Sequence, residues 1–209
     1  MNNKIIKTIS YLTLFMPGLA FANGDFVERE VIPWNELIVS AAAMVGVFMF
    51  IIGLYSVKQN AFSPQQNPLS SAFSKMFAGL ALISAGPMYA FLNNSTMSDS
   101  LNVDDRSVLS VSSSTLMGDV SSSANSWLGE HLPQATIEAI MGFVYLAGLF
   151  AFIKGLYLLK NVAGQNQSQA EGGFGRSLTH IFGGFVTMNI TTFSCMIGGT
   201  LGISMMCIA

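Results

Sequence analysis

Four long apolar runs, each bounded by polar segments, dominate the pattern of residues along the chain. They contain between 17 and 23 residues, close to the ~20 residues that a helix needs to cross a ~30 Å hydrocarbon core. The runs are Leu37–Tyr55, Met76–Leu92, Ile137–Leu159 and Ile181–Ile203. We therefore predict an all-α integral membrane protein with four transmembrane helices, the second of which is kinked at Gly86-Pro87.

Residues 1–22 have the pattern of a secretory signal peptide. A short basic start with Lys4 and Lys7 precedes an apolar stretch, Ile9–Leu19, that is well short of a membrane span. A small-x-small site then ends at Ala22, and we expect cleavage after this residue. The mature N-terminus would then lie outside the cytoplasm. The alternative is a first helix that is retained at the N-terminus.

Basic residues of the mature chain collect in the linkers that follow the first and third runs. Lys58 and Lys75 flank the first linker, and Lys160 and Arg176 flank the second, whereas the other polar segments are mainly acidic. Because basic loops are retained in the cytoplasm, both linkers are predicted to face it. We expect a multi-pass protein of a bacterial inner membrane with both termini in the periplasm.

We interpret three residues as anchors at the membrane–water interface: Trp34, Trp127 and Lys154. The two tryptophans fall on the predicted periplasmic side, where an indole ring favours the headgroup layer. Lys154 is the one charge well inside a run, and its long side chain can reach the cytoplasmic interface. Residues 115–128 fit either an amphipathic surface helix or a flexible serine-rich loop.

A fixed shift of 102 residues aligns the first run with the third. Ten of 23 positions are identical between Glu36–Lys58 and its shifted copy, and both copies contain the pattern FIxGLYxxK. After a small insertion the match resumes, with Phe77 and Gly79 corresponding to Phe182 and Gly184. Internal similarity of this kind predicts a tandem repeat.

The repeat predicts two helical hairpins in the same orientation, related by an axis along the membrane normal. The predicted organisation is a signal peptide at 1–22, a first hairpin at 23–94, a periplasmic serine-rich segment at 95–131 and a second hairpin at 132–209. Small residues let membrane helices approach closely, so recurring glycines are candidates for helix packing. They are Gly46, Gly53, Gly148 and Gly155, together with the pair Gly198 and Gly202.

The composition argues against a catalytic domain. Only 10% of residues are charged, against about 25% in a typical globular domain, and the net charge of −2 offers no basic surface for nucleic acid. We find no catalytic motif, no metal-ligand spacing and no cofactor fingerprint, so no enzyme activity and no cofactor are expected. Cys195 and Cys207 would lie ~18 Å apart along one continuous helix, too far for a disulfide.

A signal peptide followed by a helical hairpin with a short basic loop resembles the pilin-type subunits of type IV secretion and conjugation systems. The fused pair of hairpins, with its repeated FIxGLYxxK segment, resembles the DotE/IcmC family of type IVB (Dot/Icm) secretion systems and the related TraQ proteins of IncI-type conjugation. The resemblance covers most of the mature chain. It implies a structural or assembly component of the apparatus, and it carries over no active-site residue.

The leading hypothesis is thus a non-enzymatic component that acts by helix packing. Its expected partners are the lipid bilayer, other secretion-system membrane proteins and further copies of itself, with no nucleic acid bound directly. A small channel or transporter is the main alternative, since the fourth run contains hydroxyl and amide side chains at Thr187, Asn189, Thr191, Thr192 and Ser194. A chaperone-like or holin-like accessory protein is a third interpretation.

Overall fold

The structure, a computed structural model, describes residues 31–63, 68–96, 134–162 and 173–202. All elements in these ranges are helical. They are α1 (Ile32–Phe62), α2 (Leu69–Ile83), α3 (Ala85–Thr96), α4 (Gln134–Leu158), a 3₁₀ turn (Leu159–Asn161), α5 (Phe174–Met188) and α6 (Ile190–Leu201). The predicted signal peptide, the serine-rich segment with Trp127, and Cys207 lie outside the described residues.

Two described helical stretches are long and apolar enough to cross a membrane by themselves. One is α1, whose 31 residues extend about 46 Å at 1.5 Å per residue, and the other is Ala139–Asn161. The number rises to four if the bent pairs α2–α3 and α5–α6 each count as one span. The protein is therefore all-helical in its described part and carries two to four candidate membrane spans.

Much of the exposed surface consists of large apolar side chains, as the membrane interpretation requires. Phe48, Ile51, Tyr55 and Phe91 are all more than half exposed. Contiguous apolar surface of this extent is rare on proteins that live in water. In a bilayer the same side chains contact lipid tails without cost.

The second and fourth apolar runs each form two helices rather than one. The predicted kink near Gly86-Pro87 corresponds to a break at Ser84, where α2 and α3 are bent by 79°. The fourth run was predicted as a single helix, which is wrong, because the chain breaks between α5 and α6 at Asn189. Because α2 and α3 have 15 and 12 residues, neither reaches the length of a span alone.

The two break residues make the same local hydrogen bonds. Ser84 has φ −100° and ψ 31°, and Asn189 has φ −114° and ψ 35°, both outside the helical region. The Ser84 hydroxyl donates to the Leu80 carbonyl at 2.6 Å, and the Asn189 amide donates to the Phe185 carbonyl at 2.9 Å. Each side chain thus adds a second donor to a carbonyl that already accepts the backbone N–H of the same residue.

Local sequence explains the first break more directly than the second. Pro87 lies in the first turn of α3, where a missing N–H is tolerated, but its ring would clash with the carbonyl of Ile83 in a continuous helix. No proline lies at the corresponding position, Thr192. There the β-branched run that begins at Ile190 lowers helix propensity, and Asn189 has a side chain suited to capping.

The chain divides into two compact units. Among the described residues, the first unit holds Val31, residues 134–143 and residues 191–202. In this unit Gly142 lies against the side chain of Val31, and Ala139 is fully buried. The absence of a side chain at Gly142 therefore leaves room for Val31.

Among the described residues, the second unit holds α1, α2, α3, residues 144–162 and residues 173–190. Its core is apolar and contains both aromatic and aliphatic side chains. The largest fully buried ones are Leu82, Leu149, Phe152, Leu156 and Phe185. These residues come from both sequence repeats, so the two hairpins share one core.

Candidate functional site: equivalent helix-packing interfaces

Glycines let α1 and α2 come into direct contact in the first hairpin. A Cβ atom added at Gly46 would lie 2.8 Å from the Gly79 carbonyl oxygen, and one added at Gly53 would lie 2.9 Å from the Met76 backbone nitrogen. Moving along α1 from Gly46 to Gly53 therefore moves backwards along α2, so the two helices are antiparallel. Neither position has room for a side chain without moving backbone.

The second hairpin has the same arrangement between α4 and α5. A Cβ atom at Gly148 would lie 2.8 Å from the Met188 backbone nitrogen and 3.0 Å from the Gly184 carbonyl oxygen. One at Gly155 would lie 2.6 Å from the Ile181 backbone nitrogen. All four glycines that the sequence selects for packing in the hairpins thus lie at helix-to-helix contacts.

The contacts correspond residue by residue between the hairpins. Helix α4 begins 102 residues after α1, and α5 and α6 begin 105 residues after α2 and α3. The paired helices also have equal lengths, 15 residues for α2 and α5 and 12 for α3 and α6. The insertion of three residues therefore falls in the linker between the first and second helix of the hairpin.

Two glycines on the opposite side of these contacts were aligned by the sequence but not assigned to packing. Gly79 faces the Gly46 carbonyl oxygen and the Phe50 backbone nitrogen, and Gly184 faces the equivalent atoms of Gly148 and Phe152. The signal that identifies them is their identity at equivalent positions of the repeat. In each hairpin one contact, Gly46 with Gly79 or Gly148 with Gly184, thus has glycine on both helices, whereas Gly53 and Gly155 face larger residues.

The pair Gly198 and Gly202 does not form a packing stripe. Gly198 is buried on α6, but Gly202 lies beyond the end of that helix at Leu201. Gly202 has φ +68°, a left-handed conformation that glycine adopts without strain, and a Cβ there would meet nothing within 4 Å. The prediction is corrected because the helix ends before the second glycine.

A tyrosine from the first hairpin connects the two hairpins. Its hydroxyl, in Tyr89 of α3, donates to the side-chain oxygen of Asn189 at 2.9 Å. Its ring contacts Phe152 and Phe185 edge-on, with centroid distances of 6.3 and 5.5 Å. Edge-to-face aromatic contacts add favourable energy beyond their buried area. Sequence reasoning did not find this contact, because no pattern in the chain relates Tyr89 to Asn189.

A second connection lies at the linker end of the hairpins. The Ser74 hydroxyl on α2 donates to the Leu159 carbonyl oxygen at 2.6 Å, across a separation of 85 residues. An apolar cleft of about 330 Å³ lies beside it. Its lining residues are Ser70, Phe73, Ser74, Phe77, Leu159, Val162 and Phe174.

The described anchor residues lie at the surface. Trp34 is 55% exposed near the start of α1, and Lys154 is exposed within α4. Near the other end of α4, the Lys160 ammonium lies 3.6 Å from the centroid of the Tyr157 ring, a cation–π contact. Lys75, which follows the first linker, donates to the Ser56 hydroxyl at 3.4 Å. A lysine next to each linker therefore makes a defined contact.

Most polar side chains proposed for a solute pathway bond within their own helix. The Thr187 hydroxyl donates to Gly183 O at 2.7 Å, and the Ser194 hydroxyl donates to Thr191 O at 2.7 Å. Thr191 is buried, and Thr192 is exposed. Asn189 is engaged by Tyr89 and by the α5 backbone.

Cys195 is disulfide-bonded in this structure, whereas the sequence predicted only that one continuous helix would hold Cys195 and Cys207 too far apart for a bridge. The chain has only one other cysteine, Cys207, which lies outside the described residues. The expected ~18 Å separation assumed an unbroken helix. That assumption is wrong because α6 ends at Leu201 and the chain turns at Gly202 with positive φ.

Within the described ranges, no group of three or more His, Cys, Asp or Glu side chains is placed to hold a metal ion. His180 is described, whereas His131 is not. The His180 Nδ1 atom lies 2.9 Å from the Arg176 carbonyl oxygen in the preceding turn of its own helix.

Comparisons with known proteins found no matching family model, no matching curated protein and no matching solved structure.

Proposed function

We propose that this chain is a non-enzymatic structural or assembly component of a type IVB secretion or conjugative transfer apparatus in a bacterial inner membrane. It crosses the membrane four times as two parallel hairpins, after removal of a signal peptide. It acts by packing its helices with each other and with partner membrane subunits. The observation that carries this proposal is the duplicated hairpin, in which each copy has one helix contact with glycine on both sides.

Glycine contacts support a packing role because lipid supplies no hydrophobic drive for helices to associate. Close backbone approach must then provide the attraction through dispersion and polar contacts. The contact of Gly46 with Gly79 and the contact of Gly148 with Gly184 bring two backbones together at equivalent depths in the hairpins. A chain built in this way presents a rigid set of outer faces to other membrane proteins.

Two features support the periplasmic placement of the termini and the cytoplasmic placement of the linkers. Lys58, Lys75, Lys160 and Arg176 all lie next to the linkers, which matches the positive-inside rule. Cys195 lies in the last helix, near the predicted periplasmic end of the chain, and is disulfide-bonded. Disulfides persist in the oxidising periplasm and are rare in the cytosol.

The fate of the polar side chains favours packing over solute transport. A permeation pathway needs hydroxyl or amide groups that face a lumen. Here the hydroxyls of Thr187 and Ser194 bond to backbone carbonyls of the preceding turn, a common arrangement in membrane helices. Asn189 is held by Tyr89. We therefore keep the channel only as an outcome of the experiment below.

The test is detergent extraction of native membranes that contain the tagged full chain, followed by size analysis and identification of co-purified proteins by mass spectrometry. If the chain is a component of the apparatus, other membrane proteins of the secretion or transfer apparatus are expected to co-purify with it. The Gly148→Leu variant should lose them, because its side chain would collide with the backbone of Met188. Gly199→Leu is the matched control, since a Cβ there meets nothing within 4 Å.

Recovery of the tagged chain without any apparatus protein would contradict the proposal. If the same preparation then gave solute flux in liposomes above that of empty liposomes, the channel alternative would replace it. Equal recovery of partners by Gly148→Leu and Gly199→Leu would instead show that hairpin packing is not needed for assembly.

A further inference from the structure

Equivalent positions on the first helices of the two hairpins differ in burial. The α4 face consists of Leu149, Phe152 and Leu156, and we extend it to Leu159 of the following 3₁₀ turn. The equivalent α1 face consists of Val47, Phe50, Leu54 and Val57. Leu149 and Leu156 are 0% exposed, whereas Val47 is 47% and Leu54 is 48% exposed. Both faces are apolar, and both hairpins have the same inner packing. The difference therefore comes from what lies outside each hairpin.

The second helices show the opposite asymmetry. The α2 face consists of Ser74, Phe77, Ala78 and Ala81, and the equivalent α5 face consists of Thr179, Phe182, Gly183 and Val186. Ala78 is fully buried, whereas Gly183 is exposed and a Cβ added there would meet nothing within 4 Å. The α2 face is thus covered at Ala78 and Ala81, although Phe77 at its edge is 59% exposed, and the α5 face is open at Gly183.

Contacts inside the chain show what covers these faces. The Ser74 hydroxyl of the α2 face donates to the carbonyl oxygen of Leu159 on the α4 face. Farther from the linkers, the ring of Tyr89 on α3 contacts the ring of Phe152 on the α4 face. The second helix of one hairpin therefore packs on the first helix of the next. This is a head-to-tail contact between different surfaces of similar units.

We propose that the same contact continues between molecules, with the open α5 face of one copy docked on the open α1 face of a second copy. A head-to-tail contact uses two different surfaces, so it generates a closed ring or an open row rather than a two-fold dimer. The inference goes beyond the proposed function, because it names the partner and both surfaces and needs no other subunit of an apparatus.

The residues at the open faces match those of the contact inside the chain. The hydroxyl of Ser74, which makes the contact inside the chain, is matched by that of Thr179. Leu156 is matched by Leu54, within the repeated FIxGLYxxK segment. The Thr179 hydroxyl now donates to Gly175 O at 2.7 Å within its own helix, and rotation about one bond would turn it towards a neighbour.

The exposed α5 face has a small residue, Gly183, at its centre. Contact with lipid alone does not require a small residue there. Ala78 allows α2 to approach the second hairpin closely, and its equivalent is Gly183, which is smaller still. Lipid tails adapt to a side chain of any size, whereas a helix that approaches closely needs a small residue. Gly183 therefore fits an approaching helix from a second copy.

Oxidative cross-linking of two differently tagged full chains tests the proposed contact and its direction. One chain carries Thr179→Cys and the other carries Val57→Cys, the positions equivalent to Ser74 and Leu159. We expect a cross-linked product in membranes only when both chains are expressed together. A chain with Tyr55→Cys replaces the Val57 variant as the control, because Tyr55 is exposed at the same level on the other side of α1.

Each other result overturns the proposal. Cross-linking of Thr179→Cys chains to one another would show a two-fold contact. Equal cross-linking with Val57→Cys and Tyr55→Cys would show random collision, and no cross-linking above background would show that α5 faces lipid or another protein.

A second variant measures the same contact without introduced cysteines. Gly183→Leu is expected to fold, since the site is open, and to shift the extracted protein from an oligomer to a monomer in size analysis. Gly199→Leu should keep the oligomer. An unchanged oligomer in Gly183→Leu would contradict the proposal. Co-purification of apparatus proteins is a separate readout, so failure of this inference and failure of the proposed function are distinguishable.

Discussion

Gly46 in the first hairpin and Gly148 in the second occupy equivalent environments, each against the backbone of the helix that follows. Leu54 and Leu156 are also equivalent, yet the first is 48% exposed and the second is fully buried. The two hairpins thus agree in the contacts between their own helices and differ in the contacts around them. Duplication has kept the inner packing and left the outer faces to be used differently.

The comparison separates two kinds of contact in one chain. Contacts within a hairpin rest on glycine and backbone, and they tolerate no side chain. Contacts between the hairpins rest on larger side chains, such as Phe152 and Tyr89, with a hydrogen bond at each end of the interface. Substitutions at the two kinds of contact should therefore have different costs.

The largest effect is expected where two adjacent glycines of α5 have different surroundings. Gly184→Leu places a side chain against the backbone of Phe152 and should destabilise the protein by about 3 kcal/mol, the upper part of the range for overpacking. Gly183→Leu, one residue earlier, should change the stability of the monomer by less than about 0.5 kcal/mol. Thermal unfolding in dilute detergent measures both. Equal losses would mean that glycine itself, rather than the helix contact, determines stability.

A smaller effect is expected at the outer faces. Leu156→Ala opens a cavity in the shared core and should lower the free energy of unfolding by about 2 kcal/mol. This is the low end for such substitutions, because a leucine side chain that leaves the core enters lipid rather than water. Leu54→Ala at the equivalent exposed position should cost well under about 1 kcal/mol in the monomer. The same unfolding assay compares them. Similar costs at both positions would contradict the difference in burial between the hairpins.

The smallest effect is expected at the polar link between the hairpins. Tyr89→Phe keeps the ring contacts with Phe152 and Phe185 but removes the hydroxyl that donates to Asn189. The cost should be about 0.6 kcal/mol, the average for such bonds in membrane proteins. Tyr55→Phe, at an exposed tyrosine, is the control and should have no measurable effect. A larger loss in the control than in Tyr89→Phe would remove the assigned role of this bond.

The sequence predicted the features that depend on local pattern. Apolar length located all four helical regions, and the shift that pairs Gly46 with Gly148 located the hairpin contacts. The same repeat could have identified Gly79 and Gly184, because both are glycine at equivalent positions. The kink near Pro87 followed from proline stereochemistry, and the structure has a break at Ser84.

Features that depend on tertiary contacts or on weak local signals were not predicted. The break at Asn189 has no proline to mark it, so a single helix was the natural expectation. The disulfide of Cys195 was missed for the same reason, since the helix was assumed to continue past Leu201. The contact between Tyr89 and Asn189 joins residues 100 apart, and only the arrangement of the hairpins brings them together.

The most direct test of the account is the side of the membrane on which each helix ends. Ala61, Thr96 and Asn161 are exposed at the ends of α1, α3 and the 3₁₀ turn. Each would be replaced by cysteine in a separate variant. They would be reacted in spheroplasts with a membrane-impermeant maleimide, against the background of the unsubstituted chain.

With four spans, we predict labelling of Thr96→Cys in intact spheroplasts, and labelling of Ala61→Cys and Asn161→Cys only after permeabilisation. If the bent pairs α2–α3 and α5–α6 re-enter without crossing, α1 and α4 are the only spans in the described part. Thr96→Cys would then be protected and Asn161→Cys labelled from outside. That result would contradict the two parallel hairpins on which the proposed function rests.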